Sequence, residues 1–208
     1  MSTRCWPSIW HRPMQFVCFG LPVRFSFSFF LITTLFLLAD TTGTVLFVLS
    51  AAVIHELGHI LTMALLGAPI LLLDFTPFGL KIVRGGRLLS YRREAVVSLS
   101  GAGANLLAAG LLALLGGQSF GALYLSAVNL AVGVFHLLPL RGLDGGRIAA
   151  ELLALHLSPS AARTASGAVS LFFLGLLGAL AGWLWLTGRG NLSLAVMLLY
   201  FVRAFFKG

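Results

Sequence analysis

The stretch Ile54-His55-Glu56-Leu57-Gly58-His59 lies inside an apolar run that extends from about residue 43 to residue 66. Four residues advance an α-helix by about 400°, so His55 and His59 fall on one face about one turn apart. Two imidazoles at that spacing can reach one metal ion, and Glu56 beside them can act as a base. Ionisable side chains are costly in hydrocarbon, so a metal site explains the pattern better than chance does.

The composition indicates an integral membrane protein. Of 208 residues, 59% are hydrophobic and 10% are charged, and the mean hydropathy is +0.99. The apolar runs are continuous rather than alternating, which predicts an all-α membrane protein and excludes a barrel. We expect about six spans, near residues 25–41, 43–66, 95–115, 119–139, 166–187 and 190–206. Residues 143–157 are too few to span alone and are expected to continue the fourth helix beyond a break at Pro139.

The charges are distributed as in a multi-pass membrane protein. The 14 Lys and Arg residues outnumber the six acids, giving a net charge of +8. Most of the basic residues cluster between the spans and on one side, which excludes a nucleic-acid-binding surface and predicts that both termini face the cytosol. The two cysteines are too few for a disulfide framework.

A small β-hairpin is predicted after the second helix. Residues 70–75 and 80–84 have the composition of short strands, and Gly85-Gly86 is a turn signal. Residues 1–24, with their Trp, Pro and Arg, suit a segment at the lipid headgroups. We expect one domain over residues 1–208, with a core at 25–157 and C-terminal helices at 166–206.

Asp144 is the best candidate for a third metal ligand. The chain has five acids besides Glu56, which are Asp40, Asp74, Glu94, Asp144 and Glu151. Asp144 lies in Leu138-Pro139-Leu140-Arg141-Gly142-Leu143-Asp144-Gly145-Gly146, where proline and glycines break a helix at membrane depth. Irregular backbone at that depth is tolerated around protein or a cavity. The alternative is that Asp144 pairs with Arg141 or Arg147.

Three segments of the chain resemble the site-2 protease family of intramembrane metalloproteases. They are residues 55–59, residues 143–146 and the stretch Ser98-Leu99-Ser100-Gly101-Ala102-Gly103-Ala104-Asn105, similar to the family's glycine-proline-x-x-asparagine segment. The resemblance covers most of residues 25–157, and the compact layout looks most like the branch of the stage IV sporulation protease FB.

The resemblance implies that His55, His59 and Asp144 bind Zn²⁺ and that Glu56 activates water. It also implies a transmembrane or membrane-tethered protein substrate, such as a pro-sigma factor, inhibitory membrane partners, and a bacterial cell membrane as the location. The branch commonly carries a cytosolic nucleotide-sensing module, which we do not expect within these 208 residues.

Two departures from the family pattern leave roles open. His136 stands where the family has asparagine, and Ala102 where it has proline. His136 either donates a hydrogen bond to substrate or oxyanion in place of the amide, or faces the helix bundle. Asn105 either contacts substrate or, like Asn129, forms an interhelical hydrogen bond beside small residues.

Other functions are compatible with the sequence. A general membrane-stress protease would use the same residues. A metal-binding or transport protein would place His55, His59, Asp144 and His136 along a translocation path, although the two halves of the chain lack the resemblance that transporters usually show. A pseudoprotease would keep the motifs without the activity.

Overall fold

In a computed structural model of the chain, the residues described are 14–18, 21–76, 79–85, 89–117, 119–190 and 192–207. The chain divides into two compact units, residues 1–46 with 67–87 and residues 47–66 with 88–208. The prediction of a single domain stays a prediction. Within the described residues the elements are β1 (Met14–Cys18), β2 (Leu21–Phe25), α1 (Phe27–Ala39), α2 (Thr44–Leu65), β3 (Ile70–Thr76), β4 (Gly79–Arg84), α3 (Tyr91–Leu115), α4 (Phe120–His136), α5 (Asp144–Leu153), α6 (Pro159–Leu186) and α7 (Leu192–Lys207).

The first unit contains a four-stranded sheet with the order β1-β2-β3-β4. The hairpin of β3 and β4 is confirmed. The two strands before it were not predicted, because the composition of residues 1–24 indicates a segment at the lipid headgroups and the apolar run places Phe25 in the first span. Strand β2 pairs in parallel with β3, and the Phe25 ring stacks on Phe75 with centroids 4.3 Å apart. Pairing with a distant strand therefore decides the conformation here, and local composition does not.

Polar caps set the ends of the first helices. The Ser26 hydroxyl accepts a hydrogen bond from the amide of Phe29, so α1 begins after the sheet rather than at residue 25. At the other end of α1, the Asp40 carboxylate accepts hydrogen bonds from the amides of Thr42 and Val45. The bond from Val45 satisfies an amide in the first turn of α2.

Six apolar helices lie at the positions that hydropathy predicted. By length and composition, α2, α3 and α6 could each cross a membrane, whereas the described parts of α1, α4 and α7 are apolar but shorter. Six crossings therefore stay a prediction. Two helices begin earlier than predicted, α3 at Tyr91 and α6 at Pro159. At α6 the Ser158 hydroxyl accepts a hydrogen bond from the amide of Ala161, so this N-cap sets the start and the apolar window does not.

Glycines in the second unit bring its helices close together. A Cβ on Gly58 would lie 2.5 Å from the carbonyl oxygen of Ser100, so only glycine lets α2 approach α3 at this level. A Cβ on Gly133 of α4 would lie 3.2 Å from Ala102 of α3. The glycine of the His55–His59 motif thus positions the two helices that carry the site.

The break before α5 is tightly folded. Helix α4 ends at His136 and α5 covers Asp144–Leu153, so the chain breaks around Pro139 as predicted and a separate helix occupies most of residues 143–157. A Cβ on Gly145 or Gly146 would overlap the carbonyls of Leu137 and Leu140, which explains the two glycines. Leu140, Leu143 and Phe201 form a buried cluster that anchors this segment among α4, α6 and α7.

Candidate metal centre

Three buried side chains of the second unit bring one donor atom each to a common point. The Nε2 atoms of His55 and His59, which lie one helical turn apart on α2, are 3.2 Å apart. The Oδ2 atom of Asp144, at the start of α5, is 2.9 Å from Nε2 of His55 and 3.3 Å from Nε2 of His59. All three residues are less than 10% exposed. The structure therefore brings together the three residues that the sequence nominated as ligands.

The hydrogen bonds of Asn105 define the tautomer of His55. The amide nitrogen of Asn105 donates to the Ala51 carbonyl at 2.9 Å and to Oδ1 of Asn129 at 2.8 Å. The Ala51 carbonyl can only accept, so Oδ1 of Asn105 faces Nδ1 of His55, at 2.8 Å. Nδ1 of His55 must then carry a proton, and in the neutral imidazole the lone pair of Nε2 faces the cluster.

Asn129 completes this network. Its amide nitrogen donates to the Leu125 carbonyl at 2.9 Å, which leaves its oxygen to accept from Asn105. Both asparagine side chains are fully buried. Each bond ends on a carbonyl oxygen, so the donations run in one direction, from Nδ1–H of His55 through Asn105 and Asn129 to the Leu125 carbonyl.

A backbone carbonyl gives His59 the same tautomer. Its Nδ1 lies 2.8 Å from the carbonyl oxygen of Val97 on α3, so Nδ1 carries a proton and donates. The lone pair of its Nε2 also faces the cluster. Metal-ligating histidines almost always donate their second ring nitrogen in this way.

The donor set fits a zinc ion. Two imidazole lone pairs and a carboxylate oxygen within 3.3 Å of one another repel unless a cation or added protons lie among them. Ligands at about 2.0 to 2.1 Å from tetrahedral zinc lie about 3.3 Å from one another. The observed separations of 2.9, 3.2 and 3.3 Å are close to that spacing.

Gly101 of α3 closes one side of this cluster. A Cβ at this position would overlap Nε2 of both His59 and His55. Gly103, on the same helix, has nothing within 4 Å of such an atom. The difference shows that α3 approaches the donor atoms at Gly101 in particular.

Two further side chains lie beside the three donors. Glu56 follows His55 on α2, is half-buried, and interacts electrostatically with His55, His59 and Asp144. His136, the last residue of α4, has its Nδ1 3.2 Å from Oδ2 of Asp144. Its ring centroid is 4.0 Å from that of His55. His136 thus faces the site rather than only the helix bundle.

The alternative pairing of Asp144 with Arg141 is not what the structure shows. The Arg141 guanidinium donates to the carbonyls of Phe205 and Arg163 and lies over the Phe205 ring at 4.8 Å. The backbone amide of Arg141 donates to the hydroxyl of Ser170. Arg141 therefore ties the loop before Asp144 to α6 and α7.

The other acids lie in different surroundings. Asp74 pairs with Arg24 of β2 at 3.0 and 2.6 Å, and this guanidinium lowers the pKa of Asp74. Glu151 accepts a hydrogen bond from the hydroxyl of Ser98 at 3.2 Å. Glu94 lies in the first turn of α3. Asp144 alone joins the two histidines in a group that could hold a metal, among the described residues.

The fold was compared with known proteins. The chain is similar to the solved structure "Site-2 Protease from Methanocaldococcus jannaschii", with a TM-score of 0.67 and 18% identity over 94% of each chain. The chain has the fold of a site-2 protease. No family model matches the chain, and no curated protein matches it. At this identity the likeness establishes the fold and does not establish the chemistry of the site.

Sequence reasoning did not find three parts of this site. The Val97 carbonyl carries no signal, because any residue supplies a carbonyl. Asn105 and Asn129 were expected to form interhelical hydrogen bonds, and the structure shows one between them, but the hydrogen bond from His55 to Asn105 was not predicted. Gly101 was seen only as a small residue. A buried asparagine on each of two adjacent apolar helices is the signal that could have indicated a polar network around a histidine.

Proposed function

We propose that the chain is an intramembrane zinc metalloprotease that hydrolyses a peptide bond in a transmembrane or membrane-tethered protein. The observation that carries the proposal is the convergence of the Nε2 atoms of His55 and His59 with Oδ2 of Asp144, within 2.9 to 3.3 Å of one another. Both histidine tautomers are fixed with their lone pairs towards that point. Glu56 follows the first of the two histidines.

Each residue has a distinct role. His55, His59 and Asp144 would hold zinc, which supplies a Lewis acid for the scissile carbonyl and the attacking water. A Glu56 carboxylate oxygen would take a proton from that water and return it to the leaving amine. Asn105 and Val97 hold the imidazoles in the ligating tautomer. Three protein ligands leave a fourth position open, as in catalytic zinc sites.

The position of the site indicates the class of substrate. His55 and His59 lie in the second half of α2, a helix long and apolar enough to span a membrane. A soluble peptide would have poor access to a site on a membrane-spanning helix, whereas a transmembrane segment already lies in the membrane. A helical segment hides its carbonyls in hydrogen bonds, so it must unwind before attack. The sequence resemblance nominates a pro-sigma factor as the first substrate to test, and a membrane-stress regulator as the second.

The test is cleavage of a membrane-tethered pro-sigma factor by the purified full chain in liposomes. We expect Glu56→Gln to lower the rate by about 100-fold or more, because the amide cannot accept the proton, while zinc content stays at the wild-type level. Glu94→Gln is the matched control, since Glu94 lies two turns before Gly101 on α3. Cleavage by Glu56→Gln at the wild-type rate would contradict the mechanism.

The same experiment separates the rival functions. A metal-binding or transport protein would be favoured if the chain binds zinc but cleaves none of three substrates, which are the pro-sigma factor, a membrane-stress regulator and a generic membrane-tethered peptide. Cleavage that survives removal of zinc by a chelator would contradict the metal centre.

A further inference from the structure

A third imidazole, that of His136, meets Asp144 in a different way from the first two. Nδ1 of His55 donates to Asn105 and Nδ1 of His59 donates to Val97, so both rings face the carboxylate with Nε2. His136 faces the same carboxylate with Nδ1, 3.2 Å from Oδ2. The three histidines around one oxygen are therefore not equivalent.

The chemistry of the contact fixes its direction. An ionised carboxylate can only accept hydrogen bonds, so Nδ1 of His136 carries the proton and donates. His136 ends α4 and Asp144 begins α5, with the broken segment of residues 137–143 between them. This bond joins the two ends of the break directly. It restrains the carboxylate of the one donor residue that does not lie on α2.

The need for an open coordination position argues against His136 as a fourth ligand. The donor atoms of His55, His59 and Asp144 lie within 4.8 Å of one another and already supply the three protein ligands of a catalytic zinc site. Four protein ligands would also close the site to water and substrate, as in structural zinc sites. A neighbouring donor to a ligating carboxylate keeps the fourth position open.

We propose that His136 is a positioning residue that orients Asp144 for metal binding through its Nδ1–H. The inference rests on the metal centre of the proposed function and adds to it a residue acting on the carboxylate ligand. Partners of this kind typically contribute 10-fold to 100-fold, roughly, to metal affinity. Removal of the donor should therefore weaken zinc binding without changing the ligands.

The test is zinc affinity of the full chain in detergent, measured by competition with a chelator. The amide nitrogen of asparagine lies near the place of Nδ1, whereas that of glutamine lies nearer Nε2. We expect His136→Asn to stay close to wild type, and His136→Gln and His136→Ala to bind about 10-fold to 100-fold more weakly. His156→Ala is the matched control, since His156 is exposed just after α5, and it should leave the affinity unchanged.

Cobalt replaces zinc as a spectroscopic probe of the ligand set. At saturating Co²⁺ we expect the visible bands of wild type and His136→Ala to coincide. Changed bands in His136→Ala, with no rescue of zinc affinity in His136→Asn, would show that His136 is a ligand and would overturn the proposal. Equal zinc affinity in all variants would overturn it too. Thermal unfolding of the metal-free variants checks that each one folds. If His136→Ala is unfolded, the comparison of zinc affinity between His136→Asn and His136→Gln tests the proposal. A wild-type chain that binds no zinc would instead refute the metal centre.

Discussion

Asp74 and Asp144 are buried to nearly the same extent, 8% and 6% exposed, but in opposite surroundings. Asp74 in the sheet of the first unit receives two hydrogen bonds from Arg24, a cation that the chain itself supplies. Asp144 in the second unit faces two imidazole nitrogens whose protons are committed elsewhere. A buried charge has to be paired, so the first site is complete as it stands and the second calls for a cation.

This difference separates a structural carboxylate from a functional one. Burial alone would rank the two aspartates together. The deciding feature is what the neighbouring nitrogens do with their protons, and here Asn105 and the Val97 carbonyl decide it.

Substitution of Gly101 should remove the metal site outright. The methyl group of Gly101→Ala would occupy the space of both Nε2 atoms, so we expect zinc affinity to fall by about 100-fold or more. Gly103→Ala makes the same chemical change on the same helix, in open space, and should leave zinc affinity unchanged. Equal zinc binding by the two variants would contradict the position assigned to α3.

Loss of the Asn105 amide should have an intermediate effect. Asn105→Leu keeps the approximate volume but removes the acceptor that holds the proton on Nδ1 of His55, so zinc affinity should fall about 10-fold to 100-fold. Asn129→Leu leaves that acceptor in place and should cost mainly stability, about 1 to 3 kcal/mol, because one amide proton of Asn105 loses its partner. Chelator competition and thermal unfolding measure the two effects. A larger loss of zinc affinity in Asn129→Leu than in Asn105→Leu would contradict the proposed direction of the network.

The smallest effect is expected at the complete pair in the first unit. The Arg24 guanidinium lowers the pKa of Asp74, so the ionised form stabilises the fold above the unfolded pKa, about 4. This contribution, about 1 kcal/mol for a partly exposed pair, is lost as pH falls through the folded pKa. Asp74→Asn should therefore lower the unfolding temperature at pH 7, with a smaller difference from wild type at pH 3. An unchanged difference at the two pH values would contradict this assignment.

The helices and the three candidate metal ligands could be predicted from local pattern. The apolar runs predict the six apolar helices, and the spacing of His55 and His59 needs only one helical turn. The choice of Asp144 needed the further fact that a proline and glycines interrupt the chain before it. Each of these signals lies within one short stretch of sequence.

The parts that depend on distant partners were missed. Strands β1 and β2 form because β2 pairs with β3, about 50 residues away. The roles of Asn105 and His136 depend on which helix faces them, and the resemblance to a family left both roles open. The glycine at position 101 has the same local signal as the one at 103, and only packing distinguishes them.

The zinc content of the purified chain, measured side by side for wild type, Asp144→Asn and Asp74→Asn, decides whether Asp144 binds the metal. We expect one zinc per chain in wild type and in Asp74→Asn, and a large loss in Asp144→Asn, because among the residues that the structure describes Asp144 is the acid that joins the two histidines. A wild-type chain without zinc in the presence of excess metal, or full zinc content in Asp144→Asn, would contradict it.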